Sequence, residues 1–111
     1  MARQPVARTV RVAAAGQHLN YSVVLQPALP GENTIVVTPR LLSPTGFLPL
    51  GLTADVVRPG KGTPIHVTFT PLEDGRWVTA TPLSERGSWR LNLTSNTSPN
   101  RDTSSLQLPV G

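Results

Sequence analysis

The chain contains no cysteine. That excludes a disulfide framework and a thiolate metal site, so a domain of this size must be held by its apolar core. Aromatic residues are scarce at 5%, and charged residues make up only 14% of the 111 positions. Helical bundles, coiled coils and acidic disordered tails all call for more charge than this. No apolar run approaches the ~20 residues of a membrane span, and the N-terminus lacks the apolar centre of a signal peptide. The opening Met1 therefore reads as the start of a soluble chain or of a domain cut from something larger. One core takes ~100 to 200 residues, which leaves no room here for a cofactor domain beside a substrate domain.

What the sequence does have is punctuation. Twelve prolines and nine glycines break it into short runs whose apolar residues alternate with polar ones. Such runs recur about every ten residues between Pro, Gly, Asn and Asp clusters, the signature of a sandwich or barrel. Leu19, Tyr21, Val23 and Leu25 alternate with polar neighbours, and Pro27 to Asn33 closes that strand as a turn. Thr34 to Thr38 is β-branched throughout, and Leu52, Ala54 and Val56 read as the buried set of Leu50 to Val57. Ile65 to Thr70 carries Ile65, Val67 and Phe69 on one face and His66, Thr68 and Thr70 on the other. Asp74-Gly75 marks a hairpin turn into the strand Arg76 to Thr81.

Gly87 then opens a strand with Trp89, Leu91 and Leu93 inward, a polar loop runs from Ser95 to Asp102, and Leu106, Leu108 and Val110 end the chain. A first edge strand around Ala7 to Ala13 places Val10 and Val12 inward, while Val10 to Leu19 is too short and uncapped for a helix. The expectation is an all-β, immunoglobulin-like antiparallel β-sandwich of seven or eight strands. Residues 1–15 form an N-terminal linker or first edge strand and residues 16–111 the sandwich, with Trp89 as the pin between sheets. Pro39, Pro64, Pro71 and Pro82 should fall at strand ends or edges, where a missing donor is tolerated.

The formal net charge is +4, but the basic residues are nine dispersed arginines and Lys61, and nowhere do three fall together. A nucleic-acid footprint needs clustering, so no nucleic-acid partner is expected.

Candidate chemistry is thin. Pro59-Gly60-Lys61-Gly62-Thr63 has the parts of a phosphate loop but not their spacing: Asp55 stands where the first Gly belongs and Gly62 where the Ser or Thr belongs, which leaves a plain β-turn. His18 and His66 have Asp55, Asp74 and Asp102 as conceivable partners, yet no elbow motif marks a nucleophile, and Glu73-Asp74 reads as a solvated turn. No enzyme is expected. For metal, imidazole suits copper and zinc, so His66 and His18 are the candidate ligands if their strands are neighbours. Arg76-Trp77 and Trp89-Arg90 suggest a stacking platform for bases or sugar rings, but both tryptophans fall in register with apolar neighbours and read as core. The sequons at Asn20, Asn92 and Asn96 match chance in a Ser/Thr-rich β chain.

The order of these features resembles the YtkA-like domain, a small extracytoplasmic β-sandwich found alone and as the C-terminal domain of bacterial CopD-type copper transport or resistance proteins. The similarity runs through Leu19 to Gln26, the segment "QPALPGENTIVV", the strand "DGRWVTATPL" and the closing "ERGSWRLNL"; the "RQPVAR" start is similar to the juxtamembrane linker of such proteins. The resemblance implies a non-catalytic accessory role on the outer face of a bacterial membrane, with the membrane-embedded part of the same polypeptide or a copper-handling protein as partner, and copper as the implied metal. Copper carriers of the CopC type use His, Asp and a Met-rich loop. This chain has no methionine beyond Met1 and no N-terminal His, so ligation does not carry over. The competing expectation is a generic adhesion or carbohydrate-binding sandwich, which would present exposed aromatics on one sheet face. In either case an exposed edge strand such as the N-terminal one offers a route to dimers.

Overall fold

The computed structural model describes residues 7–42, 48–60, 62–96 and 101–111. Lys61, most of the "RQPVAR" start and residues 97–100 lie outside the described residues.

Among the described residues there are nine strands where seven or eight were expected: β1 (Val10–Ala15), β2 (Leu19–Gln26), β3 (Gly31–Leu41), β4 (Gly51–Val57), β5 (Ile65–Thr68), β6 (Thr70–Pro71), β7 (Trp77–Leu83), β8 (Gly87–Asn96) and β9 (Arg101–Val110). They form a five-stranded sheet in the order β1-β2-β3-β7-β6 and a four-stranded sheet in the order β5-β4-β8-β9, antiparallel throughout. The fold is a β-sandwich, as the alternation predicts. The chain crosses between sheets at β3 to β4, at β5 to β6 and at β7 to β8. β1 packs beside β9 at one side of the sandwich, and β5 approaches β7 at the other.

Alternation decides which face each strand buries. In β2 the inward set is Leu19, Tyr21, Val23 and Leu25, and in β8 it is Trp89, Leu91 and Leu93, each at most 1% exposed. Trp89 is the largest side chain wholly inside, and its indole N–H donates to the Glu85 carbonyl at 2.9 Å, so burial strands no donor. It pins the sheets as expected, with Trp77 inside as well. Val10, Val12 and Ala14 of β1 pack half-buried against this core. Of the two readings for the first fifteen residues, Val10–Ala15 is a paired strand, in register with β2 from Val10↔Leu25 to Ala15↔Asn20.

The strand prolines sit where one neighbour is missing. Pro39 lies in β3 beyond Val37, the last residue that β7 flanks; Pro82 in β7 is flanked by β3 alone; Pro71 and Pro109 lie in the outermost strands β6 and β9. An imide that cannot donate to a ladder is tolerated at such places.

Three expectations are corrected. Ile65 to Thr70 is not one strand: it breaks at Phe69, whose N–H donates to the Leu52 carbonyl at 2.9 Å, so β5 stays in one sheet and β6 joins the other. Leu50 is not part of β4 but 77% exposed, since the ladder with β8 begins at Gly51↔Asn96. The segment Ser95 to Asp102 is not all loop either, because β8 continues to Asn96 and β9 starts at Arg101.

The turn between β2 and β3 is built on a side chain. Asn33, 1% exposed, accepts from the Ala28 N–H at 2.8 Å and donates to the carbonyls of Leu29 at 2.8 Å and Gly31 at 3.0 Å. It thereby satisfies three backbone groups in a segment where Ala28 takes a positive φ of 61°. Asn33→Ala should lower unfolding stability by about 2 kcal/mol, read by chemical denaturation, because a buried Ala28 N–H loses its partner. On β7, Thr81 Oγ1 is buried with no hydrogen-bond partner among the described residues. Thr81→Val should therefore raise the unfolding free energy by about 1 kcal/mol, read by chemical denaturation.

Candidate functional site

His66 and Asp55 face each other across β5 and β4 on the outer surface of the four-stranded sheet. His66 Nδ1 lies 2.9 Å from Asp55 Oδ1, with the two side chains 65% and 52% exposed. The same rung continues through Asn92 of β8 to Ser105 of β9, where the Ser105 hydroxyl donates to Asn92 Oδ1 at 2.8 Å. The next rung is four threonines, Thr68, Thr53, Thr94 and Thr103, one from each strand. This face is thus polar and carries no aromatic residue among the described positions.

With Nδ1 donating to the carboxylate, the neutral tautomer of His66 carries its acceptor on Nε2, across the ring from Asp55. A carboxylate behind an imidazole is how ligating histidines are commonly oriented. A closed site needs more. Among the described residues no group of three His, Cys, Asp or Glu side chains comes together, so the donors present fit a single-nitrogen contact and do not fit a resident copper centre.

His18 is placed elsewhere. It is exposed in the turn between β1 and β2, and its backbone N–H is tied to Asp102 of β9. β5 and β9 are the two outermost strands of their sheet, three strand spacings or roughly 14 Å apart. The two histidines therefore cannot share an ion within one molecule, because the neighbouring strands on which sharing depended do not occur.

Sequence reasoning missed the one buried carboxylate. Asp102 is fully buried, accepting from the His18 N–H at 2.6 Å and from the Tyr21 hydroxyl at 2.7 Å. Since the phenol has a single hydrogen, the Ser95 hydroxyl, 2.7 Å away, must donate to Tyr21. Gly16 makes the approach possible, because a β-carbon there would run into Asp102 Oδ2. Gln17 extends the clasp by accepting from the Thr103 N–H at 2.8 Å. The signal was available: Ser95 has the parity of Leu91 and Leu93, Asp102 that of Leu106 and Leu108, and an inward tyrosine needs a partner for its hydroxyl. This cluster holds the turn bearing His18 against β9, a structural role.

Compared with protein-family models, curated proteins and solved structures, the chain matches none.

Burial pushes the Tyr21 hydroxyl above its ordinary value of 10.0; the Ser95 hydrogen bond opposes this in part, and the hydrogen bond to Asp102 and its negative charge add to it. The folded state thus keeps this phenol protonated where the unfolded chain would release it. Stability from this source is complete below pH 10.0 and declines as pH climbs beyond it. Tyr21 is the sole tyrosine, so the tyrosinate absorbance of the whole protein reports on it. The absorbance should stay flat past the ordinary phenol range and appear only together with unfolding; a reversible titration at the ordinary value in the folded state would contradict the burial. Tyr21→Phe should flatten the alkaline decline, at a cost near neutral pH of about 1.5 to 3 kcal/mol for a bond to a charged group.

Proposed function

We propose that this chain is a non-catalytic extracytoplasmic accessory domain of a bacterial copper-handling membrane protein, working through protein contacts with the membrane-embedded part or a copper-handling partner, with His66 as a weak single-point metal contact. The observation that carries the reading is where the resembling residues sit. Asn33 of "PGEN" builds the β2–β3 turn, and Gly87 and Trp89 of "GSW" start β8 and fill the core. The segments that resemble the YtkA-like domain are therefore those that dictate this sandwich.

The adhesion or carbohydrate reading is less favoured. A sugar platform needs an exposed ring, and the rings among the described residues, Tyr21, Phe69, Trp77 and Trp89, are buried.

In its native host the protein should fractionate outside the cytoplasm, and its loss should change copper tolerance while leaving growth without added copper unaltered. A cytoplasmic location with unchanged copper tolerance would overturn the proposal. Calorimetric titration of Cu(II), Cu(I) and Zn(II) tests the metal contact separately. Weak Cu(II) binding should be lost in His66→Ala and kept in His18→Ala, and equal heats in all three proteins would mean that His66 contributes nothing.

A further inference from the structure

Pro59 and Gly60, which follow β4, border a hollow of about 180 Å³ at one end of the four-stranded sheet's outer face. Val57, Arg58, Pro59 and Gly60 form one side, and Ser88, Arg90 and Gln107 the other. Register places them: Val57 of β4 faces Arg90 of β8, which faces Gln107 of β9. Two glycines leave room for side chains here. A β-carbon at Gly87 would come within 2.7 Å of Pro59 Cγ, so the bare backbone at the start of β8 seats the proline. A β-carbon at Gly62 would come within 2.8 Å of Arg58 Nε, so the Arg58 guanidinium lies across the glycine. Packing of this kind reduces the freedom that an arginine must give up on binding.

The side chains lining the hollow supply donors, from Arg58, Arg90, Ser88 and Gln107, and no carboxylate lines it with them among the described residues. The described residues hold two ion pairs, His66 with Asp55 and Arg76 with Asp74, and neither involves Arg58 or Arg90. The Ser88 hydroxyl donates to Gln107 Oε1 at 2.7 Å, which occupies the acceptor of that amide and leaves its NH₂ group available. Two arginines and an amide thus line one hollow that no described carboxylate enters.

We infer that this hollow binds a small oxyanion of the phosphate class, held by the Arg58 and Arg90 guanidiniums and the Gln107 amide. Guanidinium forks match the oxygens of phosphate, and two positive charges match a dianion. The mode is not that of a phosphate loop: no helix follows, and recognition comes from side chains on sheet and loop rather than from a backbone cradle. The site is open to solvent, so affinity is modest and falls with salt.

The test is titration of the full chain with inorganic phosphate, followed by NMR at ionic strength held constant with sodium chloride. Saturable shifts should be confined to the Arg58 and Arg90 Nε–H, the Gln107 side-chain amide and Ser88. Arg58→Ala and Arg90→Ala should each weaken binding roughly tenfold, and Arg90→Lys should restore only part of the loss, since a point charge does not replace the fork. Arg40→Ala, remote from the hollow, should leave affinity unchanged. All these side chains are exposed, so the variants should keep the parent spectrum elsewhere. Linear, unsaturating shifts at arginines all over the surface, or parental affinity in Arg58→Ala and Arg90→Ala, would overturn the assignment.

Discussion

A carboxylate buried between two sheets tolerates few arrangements of its neighbours. Asp102 stands on β9, Tyr21 on β2 of the opposite sheet, Ser95 on β8, and the His18 N–H in the turn that opens β2. Sliding any of these strands by one residue turns its inward set outward and leaves a charge in the core without donors. Buried ionic groups are poor evidence of net stability, but their geometry selects one packing among many that an apolar core would accept. In a sandwich without disulfides the apolar residues hold the sheets together, and this cluster defines how they align. Gly16 is part of the same constraint, since the carboxylate occupies the space that a β-carbon would need.

The outer surfaces follow from that alignment. With the inward parity set, each strand of the four-stranded sheet must present its other residues to solvent, and the rungs run in order as the four threonines, then His66-Asp55-Asn92-Ser105, then Val57-Arg90-Gln107. The two candidate functional features therefore share a face: the oriented imidazole on the edge strand β5, and the arginine-lined hollow at the end where β4 leaves the sheet. The positive charge that looks scattered along the chain is partly gathered by folding, because Arg58 and Arg90, far apart in sequence, line one hollow.

Most strands were legible because alternation between one buried and one solvated face leaves a period of two in the residues themselves. The exceptions have physical causes. Polar residues at inward positions, Ser95 and Asp102, read as loop because composition outweighs parity in a short window, and their burial depends on a tyrosine some eighty residues earlier in the chain. The run Ile65 to Thr70 keeps its alternation even though the chain changes sheet at Phe69, since that change alters the hydrogen-bond partner and not the direction of the side chains. Leu50 extends the alternation of β4 backwards beyond the ladder, and pattern alone carries no information on where a partner strand ends.

By itself the sequence determined an all-β chain, its main inward residues, its turns at Asn33 and Gly75, and the need for Trp89 in the core, because each of these depends on contacts or backbone angles within a few residues. Which histidine stands near which carboxylate, whether the two histidines meet, and which arginines lack an acidic partner were decided only by tertiary structure. Those are distances between strands from different parts of the chain, set by sheet order, and neither composition nor periodicity encodes that order.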